Sequence, residues 1–196
     1  MVVRGRPRSF DRRHALAAAM ALFWQKGYTA TSMADLYQAM GINSPSLYAA
    51  FGNKEDLYLE AVAYYEQSIA PQLWSPLDTA PSVREGVRQW LKCSAKVLTR
   101  DDAPLGCMVT LSTVASEGNP RLGEIVMRLR QKGIDKLAGR LEQGVRMGEL
   151  PAGIDTAALA RMYVGIQQGL SIQARDGAGF EALDAVAEMA MALWPA

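Results

Sequence analysis

Residues 41 to 57 read Gly41-Ile42-Asn43-Ser44-Pro45-Ser46-Leu47-Tyr48-Ala49-Ala50-Phe51-Gly52-Asn53-Lys54-Glu55-Asp56-Leu57. Ser44 is a good N-cap and Pro45 fits the first helical position, where a missing N–H costs nothing, so a short helix is predicted to start here. Leu47 and Phe51 lie four apart and turn inward, leaving Ser46, Tyr48, Ala49 and Ala50 on other faces. So short a helix is not stable alone and must be clamped by its neighbours. Asn53 caps the next helix, with Asp56 in the capping-box position and Leu57, Ala61 and Tyr64 on one stripe. Upstream, Ser32-Met33-Ala34-Asp35 forms another capping box, opening a helix that runs from near Met33 to Gly41. The short link from Gly41 to Ser44 has helix-turn-helix length, and the exposed helix after it is the element that reads DNA in such a motif.

Outward from this stretch the chain keeps helical spacing, with no run of alternating β-branched residues, so the fold class is all-α. Leu16, Ala19, Met20 and Phe23 trace a first helix from Asp11 to Lys26, stopped by Gly27. The helix after Asn53 is expected to end near Ala70, with Pro71, Pro76 and Pro81 marking a loop. Helices are then expected at 82–99 and 105–117, and a long one from Pro120 to Met147 that buries Leu122, Ile125, Leu129, Leu137, Leu141 and Val145. Two more follow at 155–175 and 180–194. The first of these carries two apolar stripes: Ala158, Met162, Gly165, Gly169 and Ile172 on one, and Leu159, Tyr163, Ile166 and Leu170 on the other. Either both stripes are buried within one chain, or one packs inside and the glycine-bearing one faces a second subunit.

The formal net charge of +1 hides a tilt. Residues 1–13 hold Arg4, Arg6, Arg8, Arg12 and Arg13 against Asp11, and the rest of the chain is net acidic. A basic end points to a polyanion, with a solubilising tail as the plain alternative. Arg4-Gly5-Arg6-Pro7, followed by Arg8, resembles the core of an arm that lays arginines in a narrow minor groove. One histidine, His14, and two cysteines, Cys93 and Cys107, make no metal spacing, and no phosphate-cradling loop is present. We therefore expect no cofactor, no metal and no enzymatic activity. No apolar run is long enough to span a bilayer, and no secretory signal is evident, so a cytoplasmic protein without a membrane partner is expected.

Phe23, Gly27-Tyr28, Thr31-Ser32, Asp35-Leu36, Met40-Gly41-Ile42, Pro45-Ser46-Leu47-Tyr48, Phe51 and Lys54-Glu55-Asp56-Leu57 together resemble the TetR family of one-component transcriptional regulators. Beyond residue 60 the resemblance rests on helix number, length and the segment Gly106-Cys107-Met108-Val109-Thr110. It implies about nine helices: an N-terminal three-helix helix-turn-helix DNA-binding domain and a C-terminal helical bundle for ligand binding and dimerisation. The corresponding division is 1–9 as a basic arm, 10–56 as the DNA-binding domain and 57–196 as the ligand-binding and dimerisation domain.

Carried onto this sequence, the resemblance places Thr31 and Ser32 at phosphates, Ser44, Pro45, Ser46 and Tyr48 in the major groove, and Lys54 at a phosphate beside a helix N-terminus, with Arg4, Arg6 and Arg8 as the arm. Ala49 and Ala50 depart from the more polar pattern of the family and leave only methyl contacts. Tyr37 stands where a smaller residue is usual, and so bears on the crossing of the two helices. The implied function is a repressor that binds a pseudo-palindromic operator as a homodimer and is released by a small apolar or amphipathic effector. Trp90, Cys107, Met108, Leu111, Met127 and Tyr163 are the expected effector-binding residues, and Met162, Gly165, Gly169 and Ile172 the dimer interface. An alternative makes Cys107, at the expected start of a helix, an electrophile- or redox-sensing thiol with Cys93 as its resolving partner. Another is an architectural module whose basic arm binds DNA without sequence preference.

Overall fold

The computed structural model describes residues 10–195. Among the described residues it contains nine α-helices: α1 (Arg12–Lys26), α2 (Met33–Met40), α3 (Ser44–Phe51), α4 (Lys54–Ser68), α5 (Ala70–Thr79), α6 (Val83–Leu98), α7 (Pro120–Arg146), α8 (Thr156–Arg175) and α9 (Phe180–Ala190). The Arg4, Arg6 and Arg8 positions of the basic arm lie outside the described residues.

The first four helices start where side chains satisfy their free N–H groups. Asp11 accepts from the N–H groups of Arg13 and His14 at 2.9 and 3.1 Å, and both the Ser32/Asp35 and the Asn53/Asp56 capping boxes are closed. Gly41 ends α2 in the left-handed region (φ 64°), which lets Ile42 N–H reach back to the Tyr37 carbonyl at 3.2 Å. The cap of α3 is Asn43, one residue earlier than the sequence suggested. Its Oδ1 accepts from Ser46 N–H at 3.0 Å, while the Ser44 hydroxyl accepts from Tyr37 Oη–H at 3.0 Å. The Tyr37 ring is thus half-buried, with its hydroxyl reaching across the turn to Ser44.

Two expected boundaries are corrected. The proline-punctuated stretch after Ala70 is a helix, α5. Pro71 sits in its first turn, where no N–H is needed, and Pro76 sits inside it. The carbonyl that Pro76 leaves without its helical partner belongs to Gln72, and the Cys93 thiol donates to it at 3.1 Å. Conversely, the helix expected over 105–117 is a series of turns between α6 and α7. Gly106 there adopts φ +76°, and a Cβ on it would lie 2.7 Å from the Ser171 carbonyl oxygen, so the chain crosses α8 at a distance only glycine permits.

Buried side chains form two clusters. One joins α1–α4 to the base of the bundle through Phe23, Leu36, Leu47, Leu57, Tyr58, Tyr65, Met108, Leu122 and Leu170. The other fills the bundle with Leu77, Val87, Trp90, Leu137, Leu141 and Tyr163. On α7 the buried line is Leu122, Val126, Leu137, Leu141 and Gly144, so Ile125, Leu129 and Val145 are only half-buried. On α8, Leu159, Tyr163 and Leu170 pack inside, with Ile166 half-buried against them; of the other stripe Ala158, Gly165 and Ile172 are exposed and Gly169 half-buried, while Met162 is half-buried against the bundle core. Among the described residues no helix is long and apolar enough to cross a membrane.

Candidate DNA interface and effector cavity

The tip of α3 is presented by clamps on both sides. Arg12 donates to the Ala50 carbonyl at 3.1 Å, pairs with Glu60 of α4 at 2.7 Å and lies over the Phe51 ring at 4.4 Å. Part of the basic end seen in sequence therefore holds α3 in place. Pro45 is exposed, Ser44 and Ser46 are half-buried, and Tyr48 is 52% exposed. The neighbouring Tyr37 hydroxyl raises the Tyr48 phenol above its ordinary value. Ser46 and Tyr48 thus present hydroxyls, and Ser44 retains a proton to donate, around a helix N-terminus that attracts anions.

Ser32 is exposed at the start of α2. Lys54, the first residue of α4, rests its ammonium 4.4 Å from the centre of the Tyr28 ring, and partial burial lowers its pKa. Thr31 departs from expectation: it is fully buried, and its hydroxyl donates to the Gly27 carbonyl at 2.6 Å. That side chain seals the α1–α2 turn and is not free for a phosphate.

Behind the DNA-facing helices lies a cavity of about 310 Å³, bounded by α4, α5, α7, α8 and the 107–110 segment. Leu73, Trp74, Leu129 and Val164 give it apolar walls, and Tyr65, Cys107 and Gln167 give it polar ones. Glu66 and Lys132 stand 3.7 Å apart, and Asp78 and Lys136 2.7 Å apart, so its carboxylates are already paired with lysines. Desolvation raises the Glu66 pKa.

Of the six expected effector residues, only Cys107 lines this cavity. Trp90 is completely buried behind Trp74, its ring stacked at 5.0 Å, and so backs the wall without reaching the cavity. Tyr163 belongs to the bundle core, with its hydroxyl 3.4 Å from the Ala190 carbonyl. Met127 is 54% exposed on the outer face of α7. Met108 and Leu111 line a separate cavity of about 120 Å³ against Phe23, Trp24, Tyr28 and Tyr58 of the DNA-binding helices. Trp74, Leu73 and Gln167 escaped the sequence reading because two prolines disguised α5 and because Gln167 is a polar residue outside both apolar stripes of α8.

Cys107 does not begin a helix, so no helix dipole acts on its thiol. Its sulfur accepts from Tyr65 Oη–H at 3.3 Å and its N–H donates to Ser171 Oγ at 2.8 Å. Cys93 is bonded to α5, and both cysteines are free thiols.

The segment from 105 to 113 is a wall shared by the two cavities. Cys107, Val109 and Thr110 face the larger one, and Met108, Leu111, Ser112 and Thr113 the smaller. Arg130 of α7 holds it by donating to the carbonyls of Val109, Thr110 and Ser112 at 3.0, 2.9 and 2.6 Å. Arg175 at the end of α8 bonds the Leu105 carbonyl at 2.9 Å and, in the last turn of α1, those of Trp24 and Gln25 at 2.9 and 3.1 Å. Tyr58 meets Ser112 at 2.9 Å, and Thr29 donates to Glu117 at 2.6 Å.

Helix-turn-helix geometry with an exposed reading tip, set on a helical bundle that encloses a cavity, defines the class of DNA-binding regulators. Residues 15–61 match the family model described as bacterial regulatory proteins, tetR family. The HTH-type transcriptional repressor ComR of Escherichia coli K12 is 39% identical over 98% of this chain and 92% of its own length. BdcR, another HTH-type transcriptional repressor of that strain, is 33% identical over 96% of this chain and 91% of its own. Among solved structures, a cysteine-substituted TetR family regulator, CifR, complexed with 26-base-pair double-stranded operator DNA, superposes with a TM-score of 0.93. It is 40% identical, over 97% of this chain and 100% of that one. The chain belongs to the TetR family and is a helix-turn-helix, DNA-binding transcriptional regulator.

Proposed function

We propose that this regulator is a cytoplasmic homodimeric repressor, without catalytic activity, that leaves a pseudo-palindromic operator when a small molecule enters the larger cavity. The observation that carries this reading is the exposed N-terminal turn of α3, with Ser44, Pro45, Ser46 and Tyr48 at its tip and the helix starts at Ser32 and Lys54 on either side. Such a tip enters a major groove while the flanking helix starts hold phosphates. ComR and BdcR carry repressor in their names and CifR was solved on operator DNA, which supports the same role here.

On this reading residues 1–9 are the arm, 10–56 the DNA-binding domain and 57–196 the effector and dimerisation domain. The outward stripe of α8, with Val186, Met189 and Leu193 exposed after it, is the dimer face. An effector pressing on Cys107, Val109 or Thr110 moves the wall that is also bonded to Tyr58 through Ser112, and so changes the separation of the two α3 tips. The operator half-sites for such a dimer are spaced by about one helical turn, roughly 34–36 Å.

Selection of bound fragments from random genomic DNA, followed by competition against unrelated duplex, tests the reading. A palindromic consensus bound roughly a thousandfold more tightly than competitor is expected. Binding at equal strength to any duplex makes the chain an architectural module instead.

A further inference from the structure

Gln167 is 8% exposed, lines the larger cavity, and has no side-chain hydrogen bond among the described residues. Its amide carries two donors and an acceptor and is not sealed from the cavity, so these groups are open to whatever occupies that space. It stands one turn before Ser171 on α8, and Ser171 holds the N–H of Cys107, so the amide belongs to the stretch of wall formed by Cys107 and Tyr65. Nothing along that stretch offers a free charge. The acids Glu66 and Asp78 are paired with Lys132 and Lys136, and Arg130 is bound to three backbone carbonyls. The facing walls, Leu73, Trp74 and Leu129, are apolar, as is Val164 beside Gln167 on α8.

Taking the larger cavity as the effector site, as in the preceding section, we infer that its ligand is an uncharged amphipathic molecule. A flat apolar body lies against Trp74, and a neutral group that both donates and accepts, of the carboxamide kind, completes the hydrogen bonding of Gln167. A carboxylate in the same place meets amide and hydroxyl groups but no unpaired cation, and loses its hydration without a compensating charge. A bare hydrocarbon fills the apolar part and leaves Gln167 as it is.

Three probes of one shape separate these chemistries: 2-naphthamide, 2-naphthoate and 2-methylnaphthalene, with dissociation constants measured by ligand-detected NMR on the full chain. The wild type is expected to bind the amide at least roughly tenfold more tightly than either of the others. Gln167→Leu and Gln167→Met, two variants of similar size, are expected to lose that preference and to keep 2-methylnaphthalene. Both are also expected to melt close to the wild type without ligand, because they conserve side-chain volume at a site open to the cavity. Equal affinity for amide and hydrocarbon, tighter binding of the naphthoate, or an amide preference that survives in the variants overturns the ligand class and leaves the cavity as a binding site. Failure of all three probes to bind, or binding that persists in the cavity-filling variant Leu129→Trp, overturns the effector-site reading itself.

Discussion

Lys54 shows how much one residue's surroundings decide. At the start of α4 its ammonium rests over the Tyr28 ring, so the side chain is already oriented for the phosphate contact proposed for it. Lys54→Gln is expected to weaken binding to all DNA sequences alike and to make the slope of log affinity against log salt shallower by about one. Fluorescence anisotropy at several salt concentrations measures both; an unchanged slope removes Lys54 from the interface. Residue identity at the caps was legible in the sequence because capping is local chemistry: Ser32 with Asp35 and Asn53 with Asp56 need only their own turn. The cap of α3 slipped by one because Asn43 and Ser44 are both good caps. The choice was made by Tyr37, seven residues away, whose hydroxyl engages Ser44. Thr31 was misread for a related reason, since its bond to the Gly27 carbonyl depends on how the α1–α2 turn closes.

At the scale of elements, helices with regular stripes were readable and the connections between them were not. Two prolines signal a loop, yet α5 forms because one falls in its first turn and the carbonyl left over by the other is met by Cys93 from α6. Over 105–113 the apolar residues suggest helical spacing, but the backbone carbonyls are taken by Arg130 and Arg175, contacts that no local pattern reveals. Arg175 is the bolt between α8 and the carboxyl end of α1, where a cation also suits the helix dipole. Arg175→Met is expected to loosen the DNA-binding helices on the bundle. Affinity for a complete operator should then fall roughly tenfold, because the second reading head is less well placed, while affinity for a single half-site stays as it was. Equal losses on both duplexes show that Arg175 supports the DNA-binding helices themselves and not their placement.

For the whole molecule, the sequence disclosed an all-helical chain and a helix-turn-helix, and it left open which stripe of α8 looks outward. Packing decides this: Leu159, Tyr163 and Leu170 fill the bundle, while Ile172 stays 53% exposed and Gly165 and Gly169 have open space where a Cβ would stand. An apolar face with room for close backbone approach is suited to a second copy. Ile172→Glu places a charge in that contact and is expected to raise the dimer dissociation constant by roughly a hundredfold or more, with a parallel loss of operator binding. Sedimentation velocity reads the change, and a variant that stays dimeric sends the interface elsewhere. The cavity was the least legible part of the molecule, because its lining comes from five separate stretches of chain, one of them α5.

The wall that separates the two cavities has a further consequence for descent. Cys107, Val109 and Thr110 look one way, while Met108, Leu111 and Ser112 look the other, and the backbone between them is held by arginines whose partners are carbonyls, which every residue type possesses. If the larger cavity is the effector site, as proposed, mutations on the first set change what it accepts without altering the side chains that meet the DNA-binding helices. On that reading, descendants of this chain can exchange one chemical signal for another while continuing to control the same genes.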